Sequence, residues 1–353
     1  MPALLHTLAT ASALAVVTAT HGASDPAAAQ EQVEQFFRGK SINLYIGSSA
    51  GGGYDTYARV LARHFGKYIP GHPTIVPQNM PGAGSNKLSG FIYSVAPKDG
   101  TAIGAIFPGA VLAPLLGDVA LQHDPSKLSY IGSANSDVYT CVVRTDVPVK
   151  TFQDAFTHEV IVGASNEGGT SRDLPTLSNN VLGTKFRVVS GYAGTKEISL
   201  ALERKEVDGL CGFGWASINA SYPHWLTHNV VRILVQENAR GHPDLNRMGV
   251  PLAVSFAKTD DDRQVLELVY SQAIFGRPFM LPPGVPADRV AALRKAFMGA
   301  FADAELLGEV AKMKLDIEAL SGEEVQALVT KAFSLPSRIT ERAKQALTYK
   351  PPS

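Results

Sequence analysis

The part of the chain with the clearest chemical potential is a glycine-rich stretch, Gly-Ser-Ser-Ala-Gly-Gly-Gly-Tyr-Asp at residues 47–55, here called the first glycine loop. Apolar residues at 42, 44 and 46 predict a buried strand before it, and apolar residues at 57, 61, 65 and 68 predict a helix after it. A glycine loop between a strand and a helix presents backbone N–H groups and the positive end of the helix dipole. We therefore expect a small carboxylate to bind there without being chemically changed.

The first glycine loop also matches parts of three other motifs. A P-loop needs Gly-Lys-Ser/Thr, whereas Gly53 is followed by Tyr54. A dinucleotide fingerprint needs a further glycine where this chain has Thr56. The Gly-x-Ser-x-Gly pattern around Ser49 is typical of serine hydrolases, but in those enzymes it follows several strands rather than the first one. A hydrolase with Ser49 as its nucleophile is therefore kept as a minor alternative.

A second stretch, at residues 163–173, repeats the design and is here called the second glycine loop. Both stretches consist of a strand, Gly-x-Ser, one or two residues, Gly-Gly and a helix. Because ligands of open α/β sheets bind at the carboxyl ends of strands, two such loops predict a shared cleft. Thr170 and Asp173 have capping-box spacing for the following helix. Asp55, in the first turn of its helix, is expected to hold the first glycine loop by accepting backbone N–H bonds.

Four charged or titratable side chains have both a functional and a structural interpretation. His224 and His228 have the spacing of two metal ligands on one helix face. Since no third ligand is evident nearby, we expect surface or packing histidines and no metal site. Arg172 and Lys196 lie close to the loops of the second half, where attraction of an acid and simple solvation both stay open.

Two aromatic residues and the two cysteines also leave alternatives open. Tyr192 and Trp215 end predicted strands beside glycines, so they either line a cleft or pack in the core. Cys141 and Cys211 each lie inside a strand-like run. We expect two buried free thiols, with a disulfide as the alternative that an exported protein allows.

The pattern of the elements predicts an α/β protein with a mostly parallel sheet, because strand and helix patterns alternate along the chain. Residues 130–144 have nearly continuous strand character, long enough to leave one lobe and enter another. Residues 241–262 are rich in charge and turn formers and predict a surface loop. Residues 265–275 are apolar and fit either a strand or a helix.

The composition is that of a globular protein with about two domains, since 45% of the 353 residues are hydrophobic. Lys and Arg together number 32, equal to Asp and Glu, which gives no support for nucleic-acid or membrane-surface binding. Residues 1–29 predict a signal peptide cleaved near Ala23 or Ala29, although the stretch has no Lys or Arg. A disordered alanine-rich leader is the alternative. We expect an exported, soluble mature protein.

Three motifs together resemble the substrate-binding proteins of tripartite tricarboxylate transporters, the Bug-type receptors. Residues 50–59 are similar to the A-G-G-x-x-D…A-R signature of that family. Asn-Met-Pro-Gly-Ala-Gly at residues 79–84 is similar to its N-R-P-G-A-G loop, and Pro-Lys-Asp-Gly-Thr at 97–101 to its P-x-D-G-x-T turn. Tyr-Ala-Gly at 192–194 and Glu-Val-Asp at 206–208 also fit, so the resemblance spans residues 40 to about 320.

This resemblance implies a two-lobed periplasmic binding protein of the type II, Venus-flytrap form. Each lobe would contain a mostly parallel sheet, and crossing strands would form the hinge. The implied boundaries are a signal peptide at 1–29, a discontinuous lobe at 30–140 plus 276–353, and a second lobe at 141–275.

The resemblance also implies which residues hold a carboxylate, mainly through backbone N–H groups. From the first lobe these are Ser48, Ser49, Gly51, Gly52, Gly53, Ala83 and Gly84, and from the second Ser165, Gly169, Thr170 and Tyr192. Asp55 and Asp208 are the implied scaffold residues of the loops. The chain departs from the family pattern at Ser48, Gln78 and Met80, where Pro, Glu and Arg are usual, so the identity of the acid stays open.

The function expected from these observations is that of an extracytoplasmic receptor. It would deliver a di- or tricarboxylate, or a related organic acid, to the membrane permease subunits of a tripartite transporter. A ligand-binding sensor module is the alternative binding function, and the Ser49 hydrolase is the enzymatic one. We expect a monomer that uses no cofactor or metal and binds no nucleic acid.

Overall fold

The computed structural model describes residues 26–348, except for residues 49, 52, 118–120, 122, 166–168, 193 and 314. The α-helices of this part are α1 (Pro26–Phe37), α2 (Gly53–Phe65), α3 (Asn86–Ser94), α4 (Pro108–Leu116), α5 (Thr170–Leu177), α6 (Thr195–Glu203), α7 (Trp215–Ser221), α8 (Pro223–Thr227), α9 (Pro243–Arg247), α10 (Asp260–Phe275), α11 (Ala287–Phe301), α12 (Ala304–Lys312), α13 (Gly322–Phe333) and α14 (Ser337–Leu347). The strands are β1 (Ser41–Ile46), β2 (Thr74–Asn79), β3 (Ala102–Ala105), β4 (Ser129–Ser133), β5 (Tyr139–Arg144), β6 (Val160–Ala164), β7 (Phe186–Ser190), β8 (Gly209–Gly214), β9 (Val231–Glu237), β10 (Pro278–Leu281) and β11 (Leu320–Ser321).

The strands form two sheets, each of which is the centre of one lobe. Lobe 1 is built on a six-stranded sheet with the order β11-β4-β10-β3-β1-β2. Lobe 2 is built on a five-stranded sheet with the order β7-β6-β8-β5-β9. Helices flank both sheets, so the predicted α/β architecture is confirmed. The sheets are mixed rather than mostly parallel, because parallel pairs are matched or outnumbered by antiparallel ones in each.

The two sheets share one plan. In lobe 1, β1 lies between β2 and β3 and is parallel to both. In lobe 2, β6 lies in the same way between β7 and β8. Beyond the third parallel strand, each sheet continues with an antiparallel strand that the chain brings from the other lobe, β10 in lobe 1 and β5 in lobe 2. The two glycine loops therefore follow equivalent strands, β1 and β6.

The apolar pattern that predicted β1 and α2 matches their burial. Leu44 of β1 and Leu61 of α2 are each 1% exposed, and Phe65 packs its ring edge-on against Phe297 of α11. Burying such side chains contributes about 1.5–3 kcal/mol each. This packing fixes the start of α2, and with it the first glycine loop, against the carboxyl end of β1.

The chain crosses between the lobes at two segments. The predicted continuous strand at residues 130–144 is interrupted at residues 134–138, so that β4 belongs to lobe 1 and β5 to lobe 2. The ambiguous residues 265–275 are helical, and they belong to α10, which a capping box at Thr259 starts at Asp260. Gly276 and Arg277 then lead from α10 back to β10 in lobe 1.

The C-terminal helix α14 contacts both lobes. It packs against α4, which follows β3 in lobe 1, and against α5, which follows β6 in lobe 2. The Asn180 side-chain amide, just beyond α5, donates to the carbonyls of Ala346 and Thr348, at 2.9 Å and 3.0 Å. Arg342 forms an ion pair with Asp262 of α10. The end of the chain is thereby fixed beside the junction of the lobes.

The expectation of two free thiols is wrong, because Cys141 and Cys211 form a disulfide. Cys141 lies on β5 and Cys211 on β8, two strands that pair antiparallel. They are 70 residues apart in sequence. Local strand patterns do not show which strands become neighbours, so the pairing was not evident from the sequence. The bond links the strand entering lobe 2 to its parallel core.

The expected capping box at Thr170 is also wrong. The N-cap of α5 is Gly169, which has no side chain to cap the helix, and Thr170 is the first helical residue. The Thr170 hydroxyl instead donates to the carbonyl of Gly212, at 2.8 Å. Tertiary contact with β8 has replaced the local contact that the sequence spacing suggested.

The N-terminal helix α1 begins inside the predicted signal region. Residues 1–25 lie outside the described part of the chain, and the Ala-Ala-Ala site at residues 27–29 falls in the first turn of α1. Val33 and Phe37, later in α1, are buried in lobe 1. In the described residues, no helix combines the length and apolar character that crossing a bilayer requires. The signal peptide stays a prediction.

Candidate ligand-binding site

A cavity of about 710 Å³ lies between the two lobes. Its lining residues are Tyr54, Gly84, Asn86, Phe107, Pro108, Gly109, Ala113, Leu116 and Gly117 from lobe 1, Tyr139, Thr170 and Asp173 from lobe 2, and Gln272, Lys344, Leu347 and Thr348 from α10 and the C-terminal segment. The volume is within the range of small-molecule sites, about 300–1,000 Å³. The cavity lies where the first turns of α2, α4 and α5 meet.

The first glycine loop is held by a network around one buried carboxylate. Asp55, 3% exposed, accepts hydrogen bonds from the Gly51 backbone N–H at 2.8 Å, from Asn79 Nδ2 at 2.8 Å and from Arg59 Nε at 2.9 Å. Burial alone would raise the pKa of Asp55, but these hydrogen bonds hold it below its ordinary value. Asn79 also donates to the carbonyl of Ser48, at 2.9 Å.

The hydroxyl of Ser48 is the free polar group of this loop. The side chain is 8% exposed, and its Oγ has no hydrogen-bond partner in the described part of the chain. Buried hydroxyls are normally hydrogen-bonded, so an unpaired one in the first glycine loop is a candidate ligand contact. Asn86, which lines the cavity, likewise has a buried Oδ1 with no partner among the described residues.

A second loop of lobe 1, residues 82–85, reaches the cavity through an unusual backbone. Ala83, Gly84 and Ser85 have φ values of 46°, 57° and 73°, a left-handed conformation in succession. Ser85 is fully buried, and its Oγ donates to the carbonyl of Gly47 at 3.0 Å and accepts from the N–H of Phe107 at 3.1 Å. Ser85 therefore ties this loop to the ends of β1 and β3, a role that no sequence signal indicated.

Three aromatic residues form one side of the cavity. The rings of Tyr54 and Phe107 are 4.4 Å apart in an edge-on arrangement, and Tyr139 of β5 lines the same cavity from lobe 2. The Tyr54 hydroxyl donates to the carbonyl of Gly276, at 3.2 Å. Burial raises the pKa of Tyr54 to about 12, so the phenol stays neutral. The sequence predicted neither Phe107 nor Tyr139 as a site residue.

In the described part of the second glycine loop, hydroxyl and backbone groups form a hydrogen-bond network, and Arg172 pairs with Asp173 at 3.3 Å beside it. The Ser165 N–H donates to Ser171 Oγ at 3.0 Å, and the hydroxyls of these two serines are 3.0 Å apart. The Gly212 carbonyl accepts from Thr170, and the Gly212 N–H donates to Glu237 Oε2, at 2.6 Å. Burial raises the pKa of Glu237 to about 8. At neutral pH this carboxyl is therefore mostly protonated.

The crossing segments meet directly beneath the aromatic residues. The guanidinium of Arg277 lies 3.9 Å from the ring centroid of Tyr57 and 5.1 Å from that of Tyr54, and it donates to Asn135 Oδ1. A side chain at Gly276 would meet the carbonyl of Asn135 at 1.8 Å, so only glycine allows the two segments to cross this closely. Burial raises the pKa of Asp137, in the other segment, to about 6.

The comparisons with known proteins can be set against this geometry. No family model matches the chain. A "UPF0065 protein in gbd 5'region" from Cupriavidus necator is 35% identical over 150 residues. The match covers 42% of this chain and 43% of the length of that relative. The structure of a TctC solute binding protein from Polaromonas, at 18% identity, covers 87% of this chain and 99% of its own, with a TM-score of 0.67. MatC from Rhodopseudomonas palustris, solved with bound malate, is 18% identical to this chain. The match covers 88% of this chain and 100% of MatC, with a TM-score of 0.59.

The fold is that of a two-lobed periplasmic binding protein. The resemblance to substrate-binding proteins of the tripartite tricarboxylate type, first drawn from the sequence, is confirmed. In this binding-protein fold, the cavity between the lobes is the candidate ligand site.

Of the residues predicted to bind ligand, the structure places Gly84 and Thr170 in the cavity wall. The remaining described ones belong to the neighbouring loops and element ends: Ser48, Gly51, Gly53, Ala83, Ser165, Gly169 and Tyr192. Tyr192 packs on lobe 2, where a side chain at Gly163 would lie 3.4 Å from Tyr192 Cε2. Ser49 and Gly52 lie outside the described residues.

Asp208, the second predicted scaffold residue, lies at the opposite edge of the lobe 2 sheet. It precedes β8, and its Oδ2 accepts from the N–H of Ile161 at 3.0 Å, near the start of β6. Asp208 therefore holds the ends of strands that face away from the cavity. His224, one of the two histidines with metal-ligand spacing, has its Nε2 3.0 Å from Glu203 Oε1.

Proposed function

We propose that this protein is an extracytoplasmic receptor that binds a small organic carboxylate between its lobes. The observation that carries the proposal is the position of the cavity, which residues of both lobes line where equivalent parallel strands end. Ligands of open α/β sheets bind at this position. A ligand that touches both lobes favours the closed state of such a protein and shifts its population toward closure.

The preference for a carboxylate rests on the donors around the cavity. The positive ends of α2 and α5 and the backbone N–H groups of both glycine loops would attract an anion. The hydroxyl of Ser48 adds a donor that the protein itself leaves unpaired among the described residues. A bound malate in MatC, a protein of the same fold, supports this ligand class.

The proposed contacts follow the loops that reach the cavity. They are Ser48, Ser49, Gly51, Gly52, Gly53, Ala83 and Gly84 in lobe 1, and Ser165, Gly169, Thr170 and Tyr192 in lobe 2. Asp55 would act as the scaffold residue of the first glycine loop, whereas Asp208 holds strand ends away from the cavity. Closure would bend the two crossing segments and bring the loops of lobe 2 onto an acid held in lobe 1.

The remaining parts of the proposal are location and delivery. The receptor would be periplasmic after removal of the signal peptide, would act as a monomer without enzymatic activity, and would deliver its acid to the permease subunits of a tripartite transporter. Loss of uptake of the identified acid on deletion of the gene tests delivery. Unchanged uptake together with an altered transcriptional response would favour the sensor alternative.

Ligand binding itself is tested by thermal unfolding with a panel of mono-, di- and tricarboxylates. An acid at 100 times its dissociation constant stabilises the native state by about 2.7 kcal/mol, which corresponds to a Tm increase of roughly 5 °C for a protein of this size. The absence of a shift with every acid would contradict the proposal.

A pair of glycine variants separates binding from folding. Gly84 lines the cavity, Gly183 does not, and both have positive φ values with open space around the Cα, so valine strains both backbones in the same way. Gly84→Val should abolish the ligand-induced Tm shift, whereas Gly183→Val should keep it. Ester hydrolysis that disappears in Ser49→Ala would instead support the hydrolase alternative.

A further inference from the structure

Part of the cavity wall is aromatic and aliphatic, and the inference drawn from it rests on the proposed function. Tyr54, Phe107 and Tyr139 give it three aromatic side chains. The hydroxyl of Tyr54 is engaged with the Gly276 carbonyl, so its donor is already used within the protein. What Tyr54 and Phe107 mainly offer a ligand is therefore ring surface.

Aliphatic side chains extend this surface along the cavity. Pro108, Ala113 and Leu116 line it from α4, a helix that contains no charged residue. Leu347 adds a further aliphatic side chain from α14. A ligand that fills this side must bring apolar surface to it, because a polar group buried there would lose its hydrogen bonds to water without replacing them.

The formal charges of the lining residues also disfavour a multiply charged acid. The described lining residues include one acid, Asp173, and one base, Lys344, so their formal charges cancel. A tricarboxylate would bring about three negative charges to a wall without a cationic excess. One carboxylate can be held by neutral N–H donors at the loops, in the manner of charge-assisted hydrogen bonds.

From this wall we infer that the preferred ligand is an arylcarboxylate, with one carboxylate joined to a planar apolar ring. The carboxylate lies at the glycine loops, and the ring lies against Tyr54, Phe107 and Tyr139. Phe107 sets the preference for a ring, because its own ring packs against Tyr54 on the cavity side. Aromatic contacts of this kind are worth up to about tenfold in affinity.

The test is isothermal titration calorimetry with benzoate, phenylacetate, cyclohexanecarboxylate, malate, citrate and benzamide. We expect an arylcarboxylate to bind roughly tenfold or more tightly than malate or citrate. Benzoate should also bind more tightly than cyclohexanecarboxylate, which has a similar size but no aromatic ring. It should likewise bind more tightly than benzamide, which lacks the charge. Phe107→Leu keeps an apolar side chain but removes the ring, so it should reduce the preference for benzoate over cyclohexanecarboxylate severalfold.

A matched control is Phe36→Leu, which removes an aromatic ring from α1 without touching the cavity. It should leave the preference unchanged. Tighter binding of malate or citrate than of every arylcarboxylate, or an unchanged preference in Phe107→Leu, overturns this inference while the receptor function stands. Failure of every carboxylate to bind overturns the proposed function itself.

Discussion

The two glycine loops have the same position in their sheets but are held by different chemistry. The first glycine loop depends on an ionised carboxylate, Asp55, which binds Gly51, Asn79 and Arg59. In the second, the described hydrogen bonds run through hydroxyl and backbone groups to Glu237, whose burial keeps it mostly protonated at neutral pH, and Arg172 pairs with Asp173 beside this network. Equivalent topology therefore does not imply equivalent electrostatics, and the two loops should respond oppositely to pH.

The largest effect is expected where the second loop packs most closely. Gly212 has a φ of +66°, and a side chain there would lie 2.2 Å from the carbonyl of Thr170. Gly212→Ala should therefore destabilise the protein by about 3 kcal/mol, from backbone strain together with the displacement of α5. Urea unfolding measures this loss. Gly51→Ala, in the first loop, has a positive φ but open space around it, and should lose only about 1 kcal/mol. Equal losses in the two variants would show that strain alone, rather than packing, distinguishes the loops.

A smaller effect is expected from the charge in the first loop. Asp55→Asn removes the ionised acceptor of three hydrogen bonds and should destabilise the protein by about 2 kcal/mol at pH 7. Since the folded-state pKa of Asp55 lies below its ordinary value of 3.8, its contribution is complete above that pH and is lost as the pH falls through the folded-state pKa.

Urea unfolding at a series of pH values from 6 downward measures this dependence. The wild type should lose more stability below about pH 4 than the Asp55→Asn variant does. If the stability of the two proteins changes with pH in the same way, Asp55 does not carry the pH dependence of the first glycine loop.

The last effect concerns the opposite end of the pH range. Burial raises the pKa of Glu237 from 4.5 to about 8, so the folded state binds its proton more tightly than the unfolded state. Its contribution to stability is complete below pH 4.5 and is lost as the pH rises to about 8. Glu237→Gln stays neutral and can still accept the Gly212 N–H bond.

We therefore expect the stability of Glu237→Gln relative to the wild type to increase as the pH rises from 5 to 8, because only the wild-type side chain has a proton to lose in this range. Unfolding midpoints at the two pH values measure it. Asp55→Asn serves as the control, because it should show no such trend across this range. A stability difference that stays the same at the two pH values would mean that Glu237 is already ionised in the folded protein.

The sequence identified those parts of the site that depend on neighbouring residues. The periodicity of β1 and α2 determined where the first glycine loop lies, and the repeated Gly-x-Ser pattern located its counterpart. Both signals extend over a few residues, which is the range over which hydrophobic periodicity is informative. The family resemblance then supplied the two-lobed arrangement that local patterns could not.

The parts that the sequence missed depend on distant residues becoming neighbours. Phe107 and Tyr139 reach one cavity from opposite lobes, and neither belongs to a motif. Cys141 and Cys211 become neighbours only because β5 enters the lobe 2 sheet beside β8. Thr170 matched a local capping pattern, but its hydroxyl binds Gly212 instead. In each case the partner of a residue is set by a tertiary contact, which a short stretch of sequence does not show.

The disulfide has a practical consequence for measuring ligand occupancy. The chain contains two cysteines, and both are used in that bond. Gln345 is exposed on α14, next to Lys344 in the cavity wall. A cysteine introduced at Gln345 would be the only reactive thiol, so a fluorescent dye could be attached there without removing any native residue of the core. If the proposed function holds, the labelled protein would be an optical sensor for the acid that it binds.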